Sequence, residues 1–140
     1  MLFTRECDYA VRIVRALSGG GIASVQDISA REDISVSITY KITRKLEKAG
    51  LLESYRGSNG GYALKVPLES LTLYDVFTVI DPDLLITECA GHSHTCSRNT
   101  GEHTCQVHRE FCRLQNLMME ELKSRPLSSF FGQEKQQGLI

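Results

Sequence analysis

The sequence predicts a mainly α fold with one small β-hairpin and a long helix near its C-terminal end. Three observations predict it. Residues 4–50 hold three apolar stripes of helical period, punctuated by capping residues and glycines. A glycine-rich turn separates two short apolar runs at 51–55 and 62–65. From about Thr104, apolar residues recur at steps of three and four as far as Leu122.

Residues 4–17 read as the first helix, because Ala10, Ile13, Val14 and Leu17 fall on one face and Gly19-Gly20-Gly21 follows. Ser24 and Asp27 have the spacing of a capping box and open a short second helix that turns Val25 and Ile28 inward. A turn at Glu32-Asp33-Ile34 follows. Ser35 caps the third helix, in which Ile38, Ile42, Leu46 and Ala49 are expected to share the inner face, and Gly50 stops it. Leu51–Tyr55 and Tyr62–Lys65 read as strands joined by Arg56-Gly57-Ser58-Asn59-Gly60-Gly61, since glycine and asparagine tolerate the positive φ of tight turns. Three helices and then a hairpin is the order of a winged helix-turn-helix, with the third helix entering a major groove. Thr72 and Asp75 form another capping-box pattern ahead of Leu73, Val76, Phe77 and Ile80, and Asp81-Pro82-Asp83 ends that helix. In the long helix Val107, Phe111, Leu114, Met118 and Leu122 make a seam close to that of a coiled coil, which points to burial against a second copy. Pro126 ends it.

The expected division is a winged helix-turn-helix DNA-binding domain over 1–82, a ligand loop over 83–104, a dimerisation helix with its C-terminal segment over 105–131, and a flexible tail over 132–140. The third helix presents Ser37, Tyr40, Lys41, Arg44, Lys45 and Lys48 on its polar face. Lysine and arginine neutralise phosphates, and side chains near the helix N-terminus reach base edges. The expected DNA-binding set is Ser35, Ser37, Tyr40, Lys41, Arg44 and Lys45 from this helix, with Arg56, Ser58, Asn59 and Gly60 from the hairpin tip. Residues 1–66 carry 10 Lys and Arg against 7 Asp and Glu, and residues 67–140 carry 6 against 10, so the basic half coincides with this domain.

All four histidines and four of the five cysteines lie between Cys89 and Cys112. Thiolate and imidazole are the ligands that soft and borderline metals prefer. The spacing, Cys89-x6-Cys96-x8-Cys105-x2-His108-x3-Cys112, leaves three readings open: an iron–sulfur cluster wrapped by the loop, a zinc site without the usual paired knuckles, or free thiols. An odd cysteine count and the absence of an apolar leader fit a reducing cytoplasm rather than a disulfide framework. No apolar run reaches the roughly 20 residues of a membrane span. Neither a phosphate-binding glycine loop nor a Gly-x-Ser-x-Gly motif occurs, so no enzyme is expected.

Asp8-Tyr-Ala-Val11, Ser24 through Ser37, Leu46-Glu-Lys-Ala-Gly50-Leu51 and Arg56-Gly-Ser-Asn-Gly-Gly-Tyr62, together with the cysteine loop, resemble the Rrf2 family of winged-helix regulators in its iron–sulfur, IscR- and NsrR-like type. The resemblance implies a homodimer on a partly palindromic double-stranded operator, with one cluster per subunit. It places the metal ligands on Cys89, Cys96 and Cys105. His108 is then the fourth ligand in one type of member, and Asp8 of the partner subunit in another, with Cys112 as an all-cysteine alternative. A [2Fe–2S] centre is favoured over [4Fe–4S]. The implied function is a transcriptional regulator sensing iron–sulfur status, redox or nitric oxide. The alternatives are a cluster-free or zinc-binding regulator, and a metal-binding module without a DNA role. The loop gaps are longer than the family's, Cys7 and Cys112 are additional, and tyrosine stands at position 40 where the IscR type has an acidic base-reading residue.

Overall fold

A computed structural model describes residues 2–92 and 94–132. The elements run α1 (Arg5–Ala16), α2 (Val25–Glu32), α3 (Val36–Lys48), β1 (Leu52–Tyr55), β2 (Gly61–Leu64), α4 (Leu73–Ile80) and α5 (Gln106–Lys123), with short 3-10 turns at Leu68–Ser70, Glu88–Ala90 and Leu127–Ser129. Among the described residues the fold is mainly helical with a single antiparallel hairpin. Among the described residues no helix is long and apolar enough to cross a membrane. The tail expected over 132–140 lies outside the described residues from position 133 on.

Each helix starts where its sequence supplies an acceptor for the unpaired N–H groups of the first turn. Thr4 caps α1, Ser35 caps α3, and both Ser24–Asp27 and Thr72–Asp75 form complete capping boxes. Asp33 adopts the left-handed conformation after α2 (φ 53°) and makes the sharp turn into α3. Gly50 does the same after α3 at φ 85°. The helix has already ended at Lys48, so Ala49 is its C-cap and is exposed, not part of the inner face as the apolar spacing predicted.

The main core takes Ala10, Ile13, Val14 and Leu17 from α1, Ile28 from α2, Ile42 and Leu46 from α3, Leu52 and Tyr62 from the hairpin, and Val76 from α4. Leu127 completes it after α5, fully buried, with its N–H donating to the Leu71 carbonyl at 2.7 Å. A second cluster of Cys7, Phe77, Leu84 and Leu122 joins α1, α4 and α5. Cys7 is completely buried there and its thiol faces the Phe77 carbonyl at 3.9 Å. The extra cysteine of α1 is thus a small core side chain.

The long helix is broader in its apolar character than a single seam. Phe111, Gln115, Met118 and Leu122 lie on the flank turned to the protein. Val107, Leu114 and Leu117, on the other flank, are 59%, 40% and 49% exposed. The seam read from the sequence is therefore divided between an inner and an open flank.

Candidate functional site

The helix-turn-helix pair is fixed by a buried charge. Glu32, at the end of α2 and 8% exposed, takes the Arg15 guanidinium through both carboxylate oxygens, at 3.1 and 2.5 Å. Arg12 donates to the Glu32 carbonyl at 2.9 Å. Paired bonds of this kind orient as well as attract, so α1 sets the pose of the turn leading into α3.

On α3, Ser37, Tyr40, Lys41, Arg44 and Lys48 are exposed and Lys45 is half-buried. Ser35 spends its hydroxyl as the cap, accepting from the Ile38 N–H at 3.4 Å. The Tyr40 hydroxyl accepts from Arg44 at 3.0 Å, and the guanidinium lies 5.7 Å from the ring centre. Glu6 of α1 reaches across to α3. Its two carboxylate oxygens accept from Lys41 Nζ at 2.6 Å and Lys45 Nζ at 2.9 Å, and these bonds hold its carboxyl below the usual carboxylate range.

In the wing, Arg56, Ser58 and Asn59 project at the tip between β1 and β2. Gly60 and Gly61 have a structural reason to be glycine. A side chain at Gly60 would run into the Tyr55 carbonyl, and one at Gly61 into the backbone of Ala23. That second approach lets Ala23 and Tyr62 exchange two backbone hydrogen bonds, at 2.9 and 2.8 Å, and fastens the wing to the chain entering α2.

The cysteine-bearing loop leaves α4 and is clamped at once. Gln115 of α5 donates to the Leu84 carbonyl and accepts from the Ile86 N–H, both at 2.9 Å. Cys89 lies in the 3-10 turn packed along α5. Cys96 and Cys105 are linked through Asn99, whose N–H donates to the Cys96 carbonyl at 3.0 Å and whose side chain accepts from the Cys105 N–H at 3.2 Å. Cys105 is the N-cap residue of α5. His108, one turn on, faces Cys112, with Nε2 3.5 Å from its Sγ. A cavity of about 660 Å³ opens beside Cys112, between α5 and residues 82–92. Asp8 is exposed on α1, paired with Arg12 at 3.4 Å.

The structure brings His108 to Cys112, and ties Cys96 to Cys105 through backbone. Among the described residues no three Cys, His, Asp or Glu side chains converge as a metal set. The donor chemistry nonetheless fits an iron–sulfur group. Cys89, Cys96 and Cys105 are thiols outside the core, none is in a disulfide, and an imidazole follows in the first turn of α5.

A mainly helical body, a glycine-bound wing and a thiol-rich loop ahead of a long helix form the context for comparison with known proteins. Residues 3–132 match the model of the Rrf2 family, described as an iron-dependent transcriptional regulator. The chain belongs to the Rrf2 family. Rrf2 proteins are transcriptional regulators, not enzymes; they bind DNA and are typically dimeric. The chain is 34% identical over 91 residues to protein aau3 of Rhizobium meliloti, covering 64% of this chain and 59% of that protein. It is 40% identical over 65 residues to the IscR regulator of Vibrio campbellii, covering 46% and 39%. The matched stretches thus span less than two thirds of these relatives' lengths. Among solved structures, IscR of T. potens superposes with a TM-score of 0.75 at 20% identity, covering 98% of this chain and 90% of that one. CymR, the global cysteine regulator of B. subtilis, superposes at 0.72 and 21%, covering 90% and 92%. At those identities the likeness is one of fold.

Three residues of this Rrf2 chain carry the site without a local signal. Glu6 reads as an ordinary acid of a first turn, although its partners lie on another helix. Gln115 was visible only as a polar residue beside an apolar seam. Asn99 sits in a stretch without periodicity.

Proposed function

We propose that the chain is a homodimeric, cytoplasmic regulator whose affinity for a partly palindromic operator follows an iron–sulfur cluster held by its cysteine loop. The observation that carries this reading is the place of the thiols: Cys89, Cys96 and Cys105 lie between a loop clamped by Gln115 and the N-terminus of α5. Cys89, Cys96 and Cys105 would be ligands, with His108 as the fourth, or Asp8 from a second copy, or Cys112. A [2Fe–2S] centre is favoured over [4Fe–4S]. A bound cluster supplies one-electron redox chemistry, which suits sensing of redox state, nitric oxide or iron–sulfur status.

The chain's own residues supply the coupling. Gln115 ties the start of the loop to α5, and Asn99 ties its end to the N-cap of α5. Ordering the loop therefore fixes the helix. In a dimer joined through α5, that helix sets the separation of two α3 helices, which must match half-sites about 34–36 Å apart or a multiple. Ser35, Ser37, Tyr40, Lys41, Arg44 and Lys45 then face the major groove, and Arg56, Ser58, Asn59 and Gly60 the neighbouring backbone or minor groove.

Protein purified without air is expected to be coloured, with iron and sulfide in equal amounts, and Cys96→Ser should lose both the colour and the operator affinity that depends on it. A second reading is a cluster-free or zinc-binding regulator, since the fold also superposes on CymR, a cysteine regulator. Colourless protein carrying stoichiometric zinc would establish that reading and end the first.

A further inference from the structure

The lysines of α3 do not face solvent unopposed. Lys41 and Lys45 stand one turn apart, so their ammonium groups converge on one side of the helix. Glu6 meets both, one carboxylate oxygen to each, at 2.6 and 2.9 Å. The contact spans 35 and 39 positions of sequence and comes from α1, a helix outside the helix-turn-helix pair. We propose that Glu6 is an attenuator of DNA binding: it competes with phosphate for Lys41 and Lys45, and so weakens attachment to duplex DNA of any sequence.

This inference rests on the DNA-facing reading of α3. Binding without sequence preference comes almost wholly from cations that displace the counterions of the phosphate backbone. A lysine already paired with a carboxylate gains only the difference between its two anionic partners. The carboxylate also halves the net charge of the lysine pair. Operator binding adds base contacts from residues such as Tyr40, which Glu6 does not touch. The cost of breaking the ion pairs therefore falls on operator and non-cognate duplex alike. The Glu6 side chain remains one-third exposed, and ion pairs with that much access to water are weak enough to be exchanged. Lys41 and Lys45 can thus leave Glu6 for phosphate.

The test uses the full chain, a labelled mixed-sequence duplex, and the operator recovered by selection from random duplexes. E6Q is expected to bind the mixed-sequence duplex about tenfold more tightly near 0.1 M salt. Its salt slope should be steeper by about 1–2 per chain, since each released lysine contributes about 0.9. Operator affinity should rise by a similar factor, so the ratio of operator to mixed-sequence affinity changes little. E6A should behave alike, because charge and not shape is at issue, and adding E6Q to a K41A/K45A background should change nothing. An unchanged slope in E6Q, or weaker binding to the mixed-sequence duplex, overturns the proposal and makes Glu6 a plain support for the lysines. Wild type that binds duplex as well as K41A/K45A would overturn it at a different point, by removing α3 from the interface. Wild type with no salt-dependent duplex binding would remove the DNA reading itself.

Discussion

Tyr40 stands 49% exposed near the N-terminal half of α3, where side chains of an inserted helix meet base edges. Its hydroxyl is engaged by Arg44 and its ring lies under that guanidinium, so the two residues form one surface. Their roles separate by chemistry. A cation on phosphate gives affinity without sequence information, whereas a ring or hydroxyl on a base edge gives preference. Replacing Arg44 and Lys45 together by alanine should weaken binding to every sequence alike and lower the salt slope by about 1 per chain, mostly through Arg44. Tyr40→Ala should change which sequences a selection experiment recovers, with discrimination at one base pair falling about tenfold. Tyr40→Phe keeps the ring and removes the acceptor, so it tells ring from hydroxyl. If Tyr40→Ala recovers the wild-type operator unchanged, base reading lies with other residues.

At the scale of elements, Gln115 is a polar side chain that holds α5 to the body among apolar ones. Gln115 is buried and uses both ends of its amide on the loop backbone at Leu84 and Ile86. Gln115→Leu should preserve packing but leave a buried carbonyl and N–H without partners. The expected loss is about 2 kcal/mol, with a fall of several degrees in Tm. Faster hydrogen exchange at the Ile86 amide is the local signature, and an unchanged melt with unchanged exchange there would show that the clamp is dispensable. Sequence reading found the elements themselves because their signals are local. Ser24 with Asp27, Thr72 with Asp75, and Gly50 act within a few positions of the ends they define. It did not find Thr39 and Thr43 in the interior of α3. Their hydroxyls donate to the Ser35 and Tyr40 carbonyls of the same helix, both at 2.9 Å, and so are buried without any outside partner. Nor did it find the clamp or the Glu6 contacts, since pairs separated by 29 to 39 positions leave no periodic trace. The ligand candidates were legible as composition, whereas the pairing of His108 with Cys112 needed the turn of α5.

At the scale of the whole molecule, α5 carries an apolar strip that is exposed among the described residues. Val107, Leu114 and Leu117 are spaced seven and three apart along α5, the rhythm of a two-helix seam, and all three are exposed in the single chain. Beside α1, an open apolar groove is lined by Leu2, Phe3, Val11, Leu73 and Phe77, with Asp8 at its edge. The inner flank of α5 already secures the helix to its own body through Gln115, Leu122 and the buried Leu127 that follows. The outer flank therefore contributes less to the fold of one chain than the inner one, and charge placed there should separate copies without unfolding them. Leu114→Glu combined with Leu117→Glu is expected to give a monomer by light scattering, with a melting profile that no longer depends on protein concentration. Binding to a full operator should fall toward that of a half-site. The salt slope per chain should persist, because the cations of α3 and the wing are untouched. A double variant that stays dimeric and keeps full operator affinity would move the interface away from α5. The distance between the two α3 helices would then have to be set by some other part of the chain, and the ligand loop would lose its mechanical route to the DNA.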